Sequence, residues 1–397
     1  MHAILSPSDL SPSHSVQRVG ARLVAIDGAP NRQWWLRDAF GDVPMRLARD
    51  VAAAAVGVGD FVEVTVRPRG DVWWVESLDA VHPRSHPREG VHQQFARAHA
   101  AFHVSRARLL HQVRAFFRER AYLEVETPCL AVSPGLDLHL DAFAVPGAGF
   151  LITSPEYDMK RLLAAGYPRI FQLARCFRRG ETGPHHRREF TMLEWYRAFY
   201  SVEQLMVETE DLVRAVVTFA HPSGVLFADS PHPCNVRPPF VRMTVAEAFG
   251  RWAPHVPYPA AVQDDDVFFR TLVERVEPGL GRLGRPVFLH DYPARHASLA
   301  RLRPDAPEVA ERFELYLGGL ELCNGFGELT DPREQRARLE RDQEARRQGG
   351  LPVYPLDEGF IDALTEGMPP AAGNALGIDR LCLLVNQSAS LTPLSVD

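Results

Sequence analysis

The sequence predicts an α+β protein in two parts, a small all-β barrel followed by a larger domain of mixed helix and strand. Three observations support this. Residues 16–83 hold five short runs, RVGARLVAID, RQWWLRDAF, DVPMRLA, DFVEVTVRP and DVWWVESLDAV, which alternate or run apolar between Gly, Asp, Asn and Pro. The texture breaks at 84–92, RSHPREGVH, where no periodicity survives. From 93 onward helical spacing and strand-like runs succeed one another. A length of 397 residues also exceeds one ordinary domain.

Taken in order, residues 1–15 are rich in Ser and Pro and read as a disordered tail. Five strands in about 70 residues suit a small closed barrel, with the OB-fold as first choice. Residues 84–92 read as a linker, and 93–397 as the second domain. There, Leu109, Val113, Phe116 and Phe117 share a helix face that ends near Arg120. LEVETP follows as a strand stopped by Pro128. Residues 202–219 read as a helix, 221–240 as a Pro-rich connection, 311–330 as strands with Gly at the turns, and 331–348 as a charged helix with a solvated face.

Composition narrows the classes. With 46% apolar and 24% charged residues the chain is a globular protein rather than a disordered one. No run of 18 apolar residues occurs, and MHAILSPSDLSPSHS lacks the basic-then-apolar order of a secretory leader. Cys129, Cys176, Cys234, Cys323 and Cys382 are scattered without CxxC, which fits a reducing cytoplasm better than disulfides or zinc, and most of them read as small buried side chains. His185 and His186 have no third ligand at metal spacing. A net charge of −6 gives no global field for nucleic acid. Lys160 is the sole lysine among 44 basic residues, which reads as the arginine bias of a GC-rich genome or as an enzyme that avoids modifying itself.

Three segments place Arg or Glu between apolar strand residues. A charge facing a core is costly unless paired, so such positions point to a polar ligand site. In FQLARCFRRGETGPHHRREFTMLEWYRAF (171–199), two strand-like runs flank a polar loop, an antiparallel hairpin. Arg178 sits where it could clamp a phosphate oxygen, and Phe190 could stack on a base. Glu194 lies between Leu193 and Trp195, so it reads as facing Tyr196's neighbours unless a bulge intervenes. In GLELCNGFGELT (319–330), Glu321 and Glu328 lie seven apart on two strands or on a bulged one, and two carboxylates near phosphates suggest magnesium. In AAGNALGIDRLCLLV (371–385), a Gly-rich strand turns into a helix with Arg380 in its first turns, which suits an anion.

These segments resemble the motifs of class II aminoacyl-tRNA synthetases. LEVETPCL with Pro128 is similar to motif 1, FRRGE…REF to motif 2 and GNALGIDR to motif 3. TSPEYDMKRLL (153–163), TMLEWYR (191–197) and ELCNGFGELTDPREQ (321–335) resemble the lysine branch, which holds the lysyl-tRNA synthetases and the elongation factor P lysine ligases. The resemblance spans about 93–397 and implies an antiparallel sheet flanked by helices. It implies ATP and Mg²⁺ as cofactors, a homodimer formed through motif 1, and formation of an aminoacyl-adenylate from lysine or β-lysine. Arg178 would contact the α-phosphate and Arg380 the γ-phosphate, Phe190 would stack on adenine, and His186 would line the triphosphate site. Glu321 and Glu328 would hold magnesium. Glu156, Glu194, Tyr196 and Asn324, with Ser154 nearby, would read the amino groups. Glu328, Ala375 and Gly377 complete the substrate set implied by the resemblance. One departure stands out: Gly180 occupies the glutamate position of motif 2, with Glu181 next to it.

Two acceptors remain open. The compact run from GGLPVYPLDEGF (349–360) into the last motif, Ala375 where lysyl-tRNA synthetases carry glycine, and HDYPARHASLARL (290–302) favour transfer to a lysine of elongation factor P. A barrel ahead of the catalytic module is the synthetase order and favours tRNA, with Trp34, Trp35, Trp73 and Trp74 as stacking surfaces. Residues 1–90 carry 10 Arg against 11 Asp and Glu, too balanced for strong phosphate binding. Adjacent tryptophans on a strand point to opposite faces, so half of them should fill the barrel. A third reading is an inactive paralogue that only binds, supported mainly by Gly180.

Overall fold

The structure is a computed structural model that describes residues 4–12, 16–28, 32–38, 41–52, 56–83, 91–138 and 140–392. The chain divides into two compact units, with the cut after Arg108.

The first unit is a closed barrel of β1 (Gln17–Asp27), β2 (Gln33–Asp38), β3 (Gly41–Leu47), β4 (Phe61–Arg69) and β5 (Val72–His82), in the order β1-β2-β3-β5-β4. Period-two alternation sends Val19, Leu23, Trp34, Leu36, Met45, Val62, Val64, Val66 and Val75 inward as one core. Trp34 is buried and Trp73 packs against that core. Trp74 points outward beneath the guanidinium of Arg69, 4.9 Å from its ring. The expected split of each tryptophan pair is therefore present.

Composition read 1–15 as disordered, yet residues 4–12 lie on the barrel. Leu5 bridges Val19, the amide of Gly20 donates to the Leu5 carbonyl, and Pro7–Asp9 form a 3₁₀ turn with Pro7 buried. Unpaired edge groups of β1 supply the partners that a Ser/Pro count cannot reveal. Residues 1–3 and 13–15 fall outside the described residues, as do 84–90 of the expected linker and 393–397. Val91 and His92, read as linker, already belong to α1 (Val91–Glu119).

The second unit is built on a nine-stranded sheet. After α1 comes β6 (Leu123–Glu124), shorter than the strand expected to reach Pro128. β7 (Leu130–Ala131), β8 (Ala144–Val145) and β9 (Gly149–Leu151) make a small separate sheet, followed by α2 (Glu156–Ala164). The hairpin is β10 (Arg169–Phe177) and β11 (Glu189–Ala198). It leads to α3 (Val202–Ala220), which a Ser201–Gln204 capping box starts, and to the short pair β12 (Val225–Leu226) and β13 (Cys234–Asn235). β14 (Val241–Thr244) precedes α4 (Val245–Trp252), α5 (Tyr258–Ala261), α6 (Asp265–Thr271) and α7 (Glu277–Gly281). The chain returns through β15 (Val287–Pro293), β16 (Leu302–Arg303), β17 (Ala306–Leu317) and β18 (Leu320–Gly327), then α8 (Pro332–Gln348), α9 (Glu358–Gly367), β19 (Ala371–Gly377) and α10 (Ile378–Val385).

The sheet order is β14-β15-β17-β18-β19-β11-β10-β6, with β16 on β17. All pairs are antiparallel except β14–β15 and β10–β6. One face is closed by apolar packing, where Phe171 stacks on Phe117 at 4.6 Å and Trp195 lies 5.5 Å from Phe117. On that side the Asn374 amide donates to Thr209 of α3. The opposite face is left for the cleft. Cys176, Cys234, Cys323 and Cys382 are buried as free thiols; Cys129, read as buried, is exposed.

Candidate active site

The register of five strands builds the floor of the cleft. Gln172 pairs with Glu194, Glu194 with Ala375, Ala375 with Asn324, and Asn324 with Glu314. The next row in register is Ile170, Tyr196, Gly373, Phe326 and Arg312. Directly opposed residues share a face, and so do residues two apart, so both rows look the same way. Glu194 and Tyr196 therefore share a face without any bulge, contrary to the sequence reading, and the Tyr196 hydroxyl donates to Glu194 Oε2 at 2.8 Å.

A bulge does occur, two strands away on β18. Leu315 opposes Cys323 while Tyr316 opposes Glu321, which leaves Leu322 unmatched. It turns Glu321 onto the face of Asn324 and Phe326. The cleft above encloses about 520 Å³ and is lined by Ser154, Glu156, Arg178, Glu181, His186, Phe190, Glu194, Glu321, Asn324, Ala375, Gly377 and Arg380 among others. Of the site residues expected from the sequence, Tyr196 and Glu328 lie beneath that lining.

One end is cationic. Arg178 leaves the end of β10 with its guanidinium carbon 5.1 Å above the Phe190 ring, and donates to Glu181 at 3.1 Å. Arg380, in the first turn of α10, donates to the Glu321 backbone carbonyl at 2.8 Å and to its carboxylate at 3.2 Å. Its other terminal nitrogen meets His186 Nε2 at 2.5 Å. Arginine can only donate, so His186 accepts there. Partial burial and the Arg380 charge lower the His186 pKa, which keeps the ring neutral for that role.

The other end is acidic and largely sealed. The Ser154 hydroxyl donates to Glu194 Oε1 at 2.5 Å and also accepts from the Glu156 amide at 3.1 Å. Lys160 Nζ lies 2.6 Å from Glu156 Oε1 and 2.6 Å from Glu328 Oε2. Glu328 Oε1 is buried with no hydrogen-bond partner among the described residues. Such an atom is costly unless a donor arrives, which is what an ammonium supplies. Burial raises the Glu194 carboxyl to about 8, helped by the neighbouring Glu156 charge. Burial likewise raises Glu328 to about 7, against the pull of Lys160. Gly373 is glycine for a steric reason: a Cβ there would lie 2.2 Å from the Tyr196 ring and 2.5 Å from Glu328 Oε1.

Glu321 and Glu328, expected to share a magnesium ion, are not brought together. Seven residues along one strand span about 20 Å, whereas one Mg²⁺ holds its ligands at about 2.1 Å. Glu328 is committed to Lys160 at the far end. The carboxylate beside Glu321 is Glu314, which the sequence reading missed. It sits on the neighbouring strand, lines the same cleft, and its charge adds to burial in raising the Glu321 pKa. Its signal was present, a Glu between apolar residues in RFELYL, the same criterion that singled out Glu321. Arg312 anchors Glu314 at 2.7 Å, and Tyr292 and Tyr316 donate to its other oxygen at 2.5 and 2.8 Å. Two hard oxygen donors facing a phosphate-sized space fit Mg²⁺ completed by phosphate oxygens. No group of three metal-ligating side chains occurs among the described residues.

Arg312 Nε donates to Asn324 Oδ1 at 3.2 Å, which leaves the amide nitrogen to face the cleft. A donor there would suit an oxygen, such as that of a carboxylate or acyl group, better than an amine.

Strand order, the arginine-flanked hairpin and the acid-lined floor define an adenylate-forming domain of the class II synthetase type. The family model for class II tRNA synthetases (D, K and N) matches residues 93–394, and the chain belongs to this family. Its relatives include proteins named elongation factor P–(R)-β-lysine ligase. The one from Erwinia tasmaniensis is 42% identical over 310 residues, 73% of this chain and 92% of the relative. Those from Salmonella gallinarum and Salmonella dublin are 41% identical over 305 residues and 40% identical over 299, each covering 72% of this chain and 92% of the relative. The barrel precedes the family match.

Proposed function

We propose that the chain activates lysine or β-lysine with ATP and transfers the acyl group to a lysine side chain of elongation factor P. The observation that carries this reading is the two-ended cleft. Arginines stand at one end, three carboxylates stand at the other, and the amide of Asn324 lies between them. A diammonium amino acid laid along the floor places its amines at Glu156, Glu194 and Glu328 and its carboxylate near Asn324 and Arg178. The names of the relatives supply the acceptor and the β-isomer.

In the first step a carboxylate oxygen attacks the α-phosphorus. An O–P bond forms, the bond to pyrophosphate breaks, and no protein nucleophile is needed. Arg178 neutralises charge growing on the α-phosphate, and Arg380 holds the leaving end with neutral His186 beside it. Phe190 offers a face for adenine. Glu181, tethered by Arg178, stands in for the motif 2 glutamate replaced by Gly180. Magnesium at Glu314 and Glu321 would screen the phosphates. In the second step an amine attacks the acyl carbon, a C–N bond forms, AMP leaves, and the amine proton passes to solvent.

The barrel's arginines are largely engaged, Arg18 with Glu63 and Asp79, Arg37 with Asp42, and Arg67 and Arg69 with Glu76. That speaks against strong phosphate binding and against tRNA as acceptor. Exposed Leu123, Leu130 and Val132 on the motif 1 stretch support a homodimer. No described helix is long and apolar enough to cross a membrane, which accords with action in the cytoplasm.

The test gives purified protein, ATP and Mg²⁺ with labelled lysine or (R)-β-lysine to elongation factor P and to bulk tRNA in parallel. Label on the factor is expected. Label on tRNA makes the chain a synthetase, and ATP binding without pyrophosphate exchange makes it an inactive paralogue.

A further inference from the structure

Lys160, the sole lysine of the chain, has no exposed side-chain surface. It stands one helical turn after Glu156 on α2, so the two share a face. Its ammonium joins that helix to Glu328, which follows β18, at 2.6 Å on each side. A fully buried lysine is normally tolerated only when paired, and Lys160 is paired twice.

The charge count around it is unbalanced. Glu156, Glu194 and Glu328 cluster at one end of the cleft, and burial, with the Glu156 charge added to it, raises Glu194 and Glu328. Among the described residues, Lys160 is the one cation within ion-pair distance of any of the three. Tyr196 and Ser154 bring neutral hydroxyls. Arg301 acts on Glu328 from farther away and is itself paired to Glu311 at 2.6 Å. With all three ionised, three carboxylates against one ammonium leave two negative charges unmatched, the number that two substrate ammonium groups would meet.

We propose that Lys160 is a positioning residue for the amine end of the cleft, the fixed cation that spaces Glu156 from Glu328 and leaves a site matched to a diammonium substrate. A plain structural pin between α2 and the sheet would need one carboxylate partner and no orphaned oxygen. The observed arrangement has two partners, and Glu328 Oε1 beside them lacks a donor. The resident ammonium also works against the burial that would otherwise protonate Glu328 and Glu194. Without it both carboxyls rise further. Fewer are ionised near neutrality, ammonium binding weakens, and raising the pH restores part of it.

This inference rests on the lysine reading of the cleft. Wild-type pyrophosphate exchange with lysine, run alongside, tests that reading separately. The test itself is the KM for lysine and the KM for ATP in Lys160→Met and Lys160→Gln, from about pH 6.5 to about pH 8.5. The expected result is a lysine KM raised about 100-fold near pH 7 in both variants, narrowing to about tenfold near pH 8.5, with the ATP KM within about threefold of wild type. A lysine KM near the wild-type value overturns the proposal. So does a deficit that is equal at every pH, or that is shared by ATP. Thermal melts accompany the kinetics; if neither variant folds, the charge belongs to the structure and the proposal falls.

Discussion

At the proposed phosphate end of the cleft the charged groups touch solvent, while at the proposed amine end all but Glu156 are sealed. The side chains of Arg178 and Arg380 keep 21% and 20% exposure, and Glu321 keeps 37%. Those of Lys160 and Glu328 keep none and Glu194 is buried outright, while Glu156, at the mouth of that end, keeps 19%. On the proposed function the difference matches what each end would hold. Phosphates arrive hydrated and strongly charged, and fixed arginines reached from solvent suffice. Ammonium groups must be told apart from methyl or hydroxyl groups. A buried carboxylate left unpaired by the wrong substrate is the stronger discriminator, because its desolvation goes uncompensated.

Removing one cation from the open end should have the largest effect. Arg380→Ala loses the contacts to Glu321 and His186 together and should lower pyrophosphate exchange by about 10³-fold. Near-normal exchange would take the γ-phosphate role away from Arg380. Glu194→Ala at the sealed end should lower kcat/KM for lysine by about 10²-fold and leave the ATP KM within about threefold. Equal damage to both substrates would mean that the ends are not separate.

The comparison sharpens with pH. Glu328 and Glu194 stand at about 7 and about 8 in the free protein. Each must be ionised to hold an ammonium, so the lysine KM should fall by about tenfold as pH rises from about 6 to about 8. The ATP KM should change far less, as titration curves for the two substrates would reveal. The smallest effect belongs to Ala375, whose methyl stands between Glu194 and Asn324. Ala375→Gly should move the ratio of β-lysine to α-lysine use toward α-lysine by less than about tenfold, since one methyl is worth about 1 kcal/mol. Competition between the two isomers measures that ratio.

Much of this was legible in the chain. Charges set in apolar strands marked Arg178, Glu194, Glu321 and Arg380, and five short alternating runs marked the barrel. The missing part depends on register. Whether Glu321 looks toward Asn324 is decided by a bulge against Tyr316, a residue on another strand. The Glu321–Glu328 metal pair failed because seven residues of strand place its members at opposite ends of the cleft. Nothing in the sequence singled out Arg312, yet its contacts orient both Glu314 and Asn324. Lys160 and Glu156 are four apart on a helix, a visible pair, but nothing local announced that Glu328 would close it.

The most direct test of the two-ended cleft is ATP–pyrophosphate exchange by the wild-type protein with lysine, (R)-β-lysine and norleucine, the last matching lysine's chain without its ε-amine. Exchange with at least one of the two diamines and only background with norleucine is the predicted result. Equal exchange with norleucine would contradict it, because the buried carboxylates would then have no part in choosing the substrate.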